Sequence, residues 1–255
     1  MARRICRMAM QSKYINGGIK MEKSISFNGN TCCHPGKEAF DARISQNKIG
    51  AVYNRIAKIY DVWSRLTESR AIGRAIELAD IKDSQHVLEV AVGPGVAFYE
   101  IVKRNPNGTN TGIDLSPGML EKAKKRLSKL SETNYSLSER SAFNLNVADE
   151  SIDVLVNNYM FDLIPYKDMD DIILEFRRVL KENGKLILVN MTEGERFGSK
   201  LYDRIYNISP KTMGGCRGVK LTERLQQQGF KVEIREYYQQ MLFPSEVILA
   251  YKSKA

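Results

Sequence analysis

A glycine turn and an isolated aspartate are the residues of this chain whose types and spacing could hold a ligand. Gly93 and Gly95 follow the apolar run 87–92, and Asp114 ends a second apolar run 19 residues after Gly95. Glycines after a strand let the backbone approach a ligand closely and leave the N–H groups of the next helix exposed. At this spacing the carboxylate of Asp114 can accept hydrogen bonds from two vicinal hydroxyls of a ribose. The pattern therefore indicates a nucleoside-containing cofactor.

The turn itself distinguishes between classes of such cofactors. A dinucleotide-binding turn of the form GxGxxG uses its third glycine for close packing of the following helix. This chain reads GPGVAF, with Phe98 at the third position. NAD and FAD are therefore disfavoured.

Alternating strand and helix patterns must position these residues. Four short runs, at 86–92, 112–115, 151–158 and 184–191, are rich in β-forming apolar residues. Their continuous hydrophobicity predicts strands that are covered on both faces, and helical segments separate them, so we expect a doubly wound α/β sheet. Near the end of the chain, a helix stopped by Gly229 precedes two strand-like runs, which predicts an antiparallel C-terminal pair.

Several helices carry clear local signals. Ser116 is a suitable N-cap, and Pro117 suits the first helical position. Residues 40–66 have apolar side chains at steps of three and four, as a helix that faces a core requires. A further buried helical stripe, followed by a predicted break at Gly184, consists of Met169, Ile172, Ile173, Phe176 and Leu180.

Residues 1–38 are predicted to be a flexible, basic N-terminal extension of a domain that spans 39–255, because they lack apolar periodicity. The first 60 residues contain 11 Lys and Arg against 3 Asp and Glu, whereas the rest of the chain contains 28 against 27. Nearly all of the net charge of +9 thus lies at one end. Because residues 61–255 are nearly neutral, nucleic acid is disfavoured as a partner. The basic N-terminal residues could contact an anionic membrane.

The same features predict a soluble, cytoplasmic protein. No apolar stretch reaches the roughly 18 residues of a membrane span, and the four unevenly spaced cysteines form neither a disulfide framework nor a CxxC metal signal. No metal site is predicted. The Arg-rich, acid-poor start leaves organellar targeting and a peripheral membrane location open.

Five segments resemble class I S-adenosylmethionine-dependent methyltransferases, and the resemblance covers residues from about 48 to 252. The first four are similar to the motifs of the first, second, fourth and fifth strands, and the last to the leading helix of the ubiquinone/menaquinone-biosynthesis methyltransferases. They are VLEVAVGPG at 87–95, TGIDLSPGML at 111–120, VADESIDVLVNNYMFDLIP at 147–165, RRVLKENGKLILVN at 177–190 and VYNRIAKIYDVWSRL at 52–66. The resemblance implies S-adenosylmethionine as cofactor and a Rossmann-like, mostly parallel seven-stranded sheet.

The resemblance also assigns the parts of the cofactor to residues. The ribose falls to Asp114, the methionine end to Glu89, and the pocket floor to the glycine turn, in which Ala91 replaces the usual first glycine. The backbone of Asn157 would hold the amino group, and Tyr60 would cover the carboxylate. Where the family often has an acid this chain has Ser141, so adenine falls to Ala142 and Phe143 beside it and to Leu115 and Met119, which follow Asp114. The implied cofactor-binding set is Tyr60, Glu89, Ala91, Gly93, Gly95, Asp114, Leu115, Met119, Ala142, Phe143 and Asn157.

The acceptor is predicted from weaker signals. The glycine-containing segment 207–219 could close over a substrate, with Arg217 orienting a polar ring substituent. Tyr, Met and Phe residues near it predict a small lipophilic or aromatic acceptor, with a prenylated quinone-type ring or related lipid as the leading version. No catalytic residue is assigned, and Asp162 is a candidate for either a base or a helix cap. An RNA methyltransferase and a non-catalytic S-adenosylmethionine-binding regulatory protein remain as alternatives.

Overall fold

The computed structural model describes residues 68–130, 134–192, 217–240 and 243–254. All of them belong to the larger of the two units into which the chain divides, Ala39–Ala255. The predictions for the N-terminal extension, for the helix at 40–66, for Tyr60 and for most of the segment 207–219 concern residues outside the described ranges. Among the described residues, no helix is long and apolar enough to cross a membrane.

The described part of the chain alternates between helices and strands. In chain order its elements are α1 (Ser69–Ala79), β1 (His86–Val90), α2 (Val96–Arg104), β2 (Thr109–Asp114), α3 (Pro117–Leu127), β3 (Tyr135–Glu139), β4 (Ile152–Asn158), a 3₁₀ turn (Phe161–Leu163), α4 (Tyr166–Val179), β5 (Leu180–Met191), α5 (Thr222–Gln227), β6 (Phe230–Gln240) and β7 (Phe243–Lys252).

These seven strands form one sheet in the order β3-β2-β1-β4-β5-β7-β6. The strands from β3 to β5 pair in parallel, and β7 pairs antiparallel with both β5 and β6. The direction of the strand order reverses at β1. The carboxyl ends of β1, β2 and β4 therefore lie side by side at the position where such sheets bind ligands. The predicted α/β, doubly wound, mostly parallel seven-stranded sheet with an antiparallel C-terminal pair is confirmed.

Two hydrophobic cores cover the faces of this sheet. Neighbouring residues of one strand go to opposite cores, because side chains alternate along a strand. Val87 packs in the core of α1, α2 and α3, while Leu88 packs in the core of α4 and α5. On β4, Val156 and Leu155 divide between the same two cores. The continuous hydrophobicity of these runs therefore reflects burial on both faces.

The helix signals are confirmed in part. The side chain of Ser116 caps α3 by accepting the Met119 N–H at 3.2 Å, and Pro117 is the first helical residue. Every member of the predicted stripe from Met169 to Leu180 is fully buried. The predicted break at Gly184 is wrong, since α4 ends at Val179 and Gly184 lies in β5.

The helix end is set by a neighbouring segment instead of a glycine. The backbone N–H groups of Glu150 and Ser151 donate to the carbonyl oxygens of Arg178 and Val179, at 3.0 and 2.9 Å. These bonds satisfy the last helical carbonyls and direct the chain straight into β5.

Candidate functional site

Two adjoining cavities lie at the carboxyl ends of β1, β2 and β4. The larger cavity has a volume of about 810 Å3 when its open mouth is included, and it extends from the end of β2 to the 3₁₀ turn. The smaller cavity has a volume of about 330 Å3 with its open mouth included, and it borders the start of α2. Both are lined by Ala91, Gly93, Asn158 and Tyr159, so they are neighbouring parts of one site.

Asp114 ties together the two turns that frame the larger cavity. Its Oδ2 accepts the backbone N–H of Gly93 at 2.8 Å, and its Oδ1 accepts that of Ser116 at 2.8 Å. Burial raises the pKa of Asp114, and the N–H groups of Ser116, Gly93 and Leu115 oppose that rise. Each carboxylate oxygen still has a second lone pair, so Asp114 can accept hydroxyl donors from a ligand in the cavity.

The turn after β1 has a left-handed backbone at three positions: Ala91 has φ 60°, Gly93 has φ 52° and Gly95 has φ 77°. Gly93 lines both cavities, but Gly95 lines neither. A Cβ atom on Gly95 would lie 2.9 Å from the Cα atom of Ala123. The missing side chain of Gly95 thus lets α3 approach the turn, and of the two glycines only Gly93 lies on the predicted pocket floor.

The third glycine of a dinucleotide turn is replaced by a core residue. Phe98 is fully buried, and its ring packs edge-on against Tyr135 at a centroid distance of 6.3 Å. Gly112 on β2 makes room for it, because a Cβ atom there would lie 3.0 Å from Phe98 Cζ. The distance between α2 and the sheet is therefore set by the ring of Phe98, which packs on Gly112 of β2.

The residues predicted to hold adenine come together around the larger cavity. Leu115 and Phe143 line it while leaving 48% and 36% of their surface exposed, and Met119 and Ala142 line it from buried positions. Ser141 also lines the cavity, but its Oγ accepts the Phe143 N–H at 3.3 Å. Ser141, which stands where the family often has an acid, thus stabilises the loop in which it lies by accepting a backbone hydrogen bond.

Glu89 is a buried carboxyl group on the wall of the smaller cavity, with only 1% of its surface exposed. Its Oε1 accepts a hydrogen bond from Asn158 Nδ2 at 3.0 Å, whereas its Oε2 has no hydrogen-bond partner among the described residues. Burial raises the pKa of Glu89 to about 8, against the bond from Asn158 and with the help of the charge of Asp114. A cation that enters this cavity would favour the ionised form of Glu89, whose Oε2 could then accept a hydrogen bond from it.

Asn157 and Asn158 differ in the face of the sheet they occupy. The Asn157 side chain is buried and donates to the carbonyl oxygen of Val90 at 2.9 Å, and it lines neither cavity. The predicted role of Asn157 concerns its backbone and stays a prediction. Asn158 was not predicted, although alternation along β4 places it on the same face as Val156.

Tyr159 is a second residue that the sequence did not reveal. It lines both cavities and has a left-handed backbone, with φ 51°. Its hydroxyl lies 2.9 Å from the Oγ of Ser245 on β7, and its N–H donates to the Val189 carbonyl. Strained positions of this kind in non-glycine residues are concentrated at functional sites. Local sequence signals could not identify it, since nothing in the tripeptide around it calls for this conformation.

Arg217 does not have the position expected of a substrate-orienting residue. It is 2% exposed and donates to the carbonyl oxygens of Asp162 and Ile164 at 3.1 and 2.6 Å. Its guanidinium also lies 4.4 Å from the ring centroid of Tyr166. The predicted orienting role is therefore wrong: Arg217 holds the backbone that follows the 3₁₀ turn.

Asp162 is also occupied within the fold. It is fully buried, its Oδ1 accepts the Met191 N–H at 2.9 Å, and it lines neither cavity. Burial raises the pKa of Asp162 well above its usual range. The predicted helix-capping role is wrong, since neither the 3₁₀ turn nor α4 has a side-chain cap, and Asp162 instead joins the 3₁₀ turn to the end of β5.

Comparison with known proteins places the chain among related domains. Residues 81–234 match a family model described as a methyltransferase domain. A demethylmenaquinone methyltransferase of Thermotoga maritima is 29% identical over 157 residues, covering 59% of this chain and 66% of that protein. A malonyl-acyl-carrier-protein O-methyltransferase of Ilyobacter polytropus is 25% identical over 182 residues, covering 71% and 65%. The chain thus spans about two thirds of the length of these relatives.

A solved structure with a similar fold is that of the cyclase SpnF. Its TM-score is 0.65 at 16% sequence identity, and the match covers 83% of this chain and 97% of that one. At this identity the likeness concerns the fold alone. It agrees with the α/β fold of the seven-stranded sheet.

Proposed function

Because the chain belongs to the class I S-adenosylmethionine-dependent methyltransferases, we propose that it transfers a methyl group to a small lipophilic or aromatic acceptor. A prenylated quinone-type ring or a related lipid is the leading candidate. The observation that carries this proposal is the composition of the larger cavity. It combines the carboxylate of Asp114 at one end with an apolar wall of Met160, Leu163 and Ile164 at the other.

The described residues fit S-adenosylmethionine in the chemistry of their donors and acceptors. Asp114 would take the vicinal hydroxyls of the ribose, and Leu115 and Phe143 offer apolar surface for adenine. The unpaired Oε2 of Glu89 would take a positively charged group of the methionine end, since a buried acceptor without a donor is costly. When bound, the cofactor supplies an electrophilic methyl group.

With such a methyl donor, this chain's residues need chiefly to align the acceptor and exclude water. The wall of Met160, Leu163 and Ile164 suits both tasks, because it offers an apolar surface beside the cofactor groups. Arg217 and Asp162 hold this wall from behind through the backbone of the 3₁₀ turn and of Ile164. A rigid, apolar wall favours a lipophilic acceptor over a phosphate-rich one.

One experiment distinguishes this proposal from the two alternatives, an RNA methyltransferase and a non-catalytic S-adenosylmethionine-binding protein. We would incubate the protein with labelled S-adenosylmethionine and separate fractions of quinones, phospholipids, RNA and protein. The proposal expects label in the quinone or lipid fraction, and less of it with Asp114→Ala at a cofactor concentration that is limiting for the parent protein. Label confined to RNA would support an RNA methyltransferase, and cofactor binding without label in any fraction would support a non-catalytic regulatory protein.

A further inference from the structure

Arg140 brings a cation to the larger cavity. It follows β3 directly, and its exposed side chain lines the cavity beside the residues predicted to hold adenine. Among the described residues, its guanidinium has neither an ion pair nor a hydrogen bond, so the carboxylates of Asp114 and Glu139 leave it free. A planar cation is therefore available to a ligand at this end of the cavity.

The backbone of Arg140 is fixed beside the acid that is placed to hold the ribose. Its N–H donates to the carbonyl oxygen of Asp114 at 3.1 Å, and Glu139 pairs with Asp114 in the register of β2 and β3. Leu115 and Phe143 line the same cavity and offer exposed apolar surface. A base attached to a ribose on Asp114 would therefore lie among Leu115, Phe143 and Arg140.

This part of the cavity has no second carboxylate to bind the amino group of adenine. Ser141 stands where the family often has an acid, and its Oγ accepts the Phe143 N–H at 3.3 Å. Of the described residues that line the larger cavity, only Asp114 carries a carboxylate, and the ribose would take it. The purine would then be held mainly through its ring faces, which apolar side chains and a guanidinium can contact.

The charge of Arg140 is not placed to form an ion pair with the cofactor. The one carboxylate of S-adenosylmethionine is at its methionine end, which the proposed position directs to the smaller cavity with Glu89. Arg140 does not line that cavity. The cofactor group that reaches Arg140 is the neutral purine, so stacking is the interaction that its guanidinium can make there.

We propose that Arg140 is an adenine-binding residue, and that its guanidinium stacks on one face of the purine while Leu115 and Phe143 contact the ring from the cavity wall. This inference rests on the cofactor position proposed above. Arginine suits the role better than lysine, because its charge is delocalised over a plane that matches an aromatic ring. S-adenosylmethionine and S-adenosylhomocysteine should benefit equally, since they have the same purine.

Calorimetric binding of S-adenosylhomocysteine and of S-adenosylmethionine to the full chain tests the inference. Arg140→Ala should weaken binding of each ligand about three- to tenfold, because a stacked cation is lost. Arg140→Lys should come within about twofold of Arg140→Ala, since its ammonium lacks the plane that stacks. Arg140→Tyr should stay within about twofold of the parent, because a flat ring can replace the guanidinium.

Arg104→Ala is the matched control. Arg104 is also an exposed arginine, but it lies at the end of α2 and lines neither cavity. Its replacement should leave both affinities unchanged. The Arg140 variants should unfold in urea at the same concentration as the parent, because the side chain that they change is exposed and makes no contact that supports the loop.

Three outcomes would overturn the inference. Equal affinity in the parent and all three Arg140 variants would show a solvated arginine, and equal losses in all three would reduce Arg140 to a support of its loop. Full affinity in Arg140→Lys with a loss in Arg140→Tyr would show that charge alone matters, as an anion-binding role requires. Failure of the cofactor position is seen separately, as normal binding of S-adenosylhomocysteine by Asp114→Ala.

Discussion

The carboxylate of Asp114 accepts the backbone N–H of Gly93 at 2.8 Å, so the acid placed to hold a ribose also fixes the turn that leads into α2. The two residues are 21 positions apart in the chain. This bond, together with the one from Ser116, means that Asp114 supports the shape of the site before any ligand arrives.

Asp114→Ala should therefore lose both binding and stability. We expect cofactor affinity to fall at least about tenfold, and the free energy of unfolding to fall by about 1–3 kcal/mol because two N–H groups lose their acceptor. Calorimetry and urea denaturation measure the two effects. Asp171→Ala, at an exposed position of α4, is the control and should change neither quantity. Unchanged affinity in Asp114→Ala would contradict the proposed ribose contact.

Glu89→Gln should change how stability depends on pH. Burial raises the pKa of Glu89 from 4.5 to about 8, so in this range the folded protein keeps a proton that the unfolded chain has released. Stability contributed by the protonated form is therefore lost as the pH rises from about 4.5 to about 8, at up to about 1.4 kcal/mol per pH unit. Glutamine does not titrate and can still accept the bond from Asn158.

The measurement is urea unfolding of the ligand-free protein at several pH values. Relative to the parent protein, Glu89→Gln should gain stability steadily from about pH 5 to about pH 8. The control Glu121→Gln, at an exposed position of α3, should show no such trend. A stability difference between Glu89→Gln and the parent that does not vary with pH would rule out the protonated, buried carboxyl group.

Ala91→Gly should stabilise the protein. Ala91 has φ 60°, a conformation that costs alanine about 1–2 kcal/mol, while the greater freedom of glycine in the unfolded chain offsets about 0.4–1 kcal/mol of the gain. We expect a net gain of about 0.5–1 kcal/mol in urea denaturation. Ala148 is exposed and has no left-handed backbone, so Ala148→Gly should instead destabilise the protein. A loss of stability in Ala91→Gly would show that the methyl group packs better than this argument allows.

Arg217→Ala should destabilise the fold strongly. It would remove the side-chain donor of the buried Ile164 carbonyl oxygen, at a cost of about 1–3 kcal/mol, and would leave the Asp162 carbonyl oxygen only the longer bond from the backbone N–H of residue 217 at 3.4 Å. Arg224→Ala, which breaks a partly exposed ion pair with Asp170, should cost less than about 1 kcal/mol. Equal, small losses for the two variants in urea unfolding would return Arg217 to the orienting role that the sequence suggested.

Much of the fold and part of the site could be predicted from local sequence. Apolar runs identified β1, β2, β4 and β5, and the Ser116 and Pro117 pair located the start of α3. These signals are reliable because periodic burial and backbone preference are properties of neighbouring residues. The helix α1 was not identified separately. The strand β3 was also missed, because it is a short, half-buried edge strand without the apolar run of the central strands.

The site depended more on tertiary structure. The glycine turn and Asp114 determined by themselves that a nucleoside could bind, since their conformational and hydrogen-bonding needs are local. Only the folded chain decided that Gly95 serves the packing of Ala123 and that Arg217 supports a backbone. It also brought Glu68 to the cavity of Glu89. These relationships join segments that are distant in sequence, and they arise because strand order and helix packing, rather than spacing along the chain, determine which side chains meet.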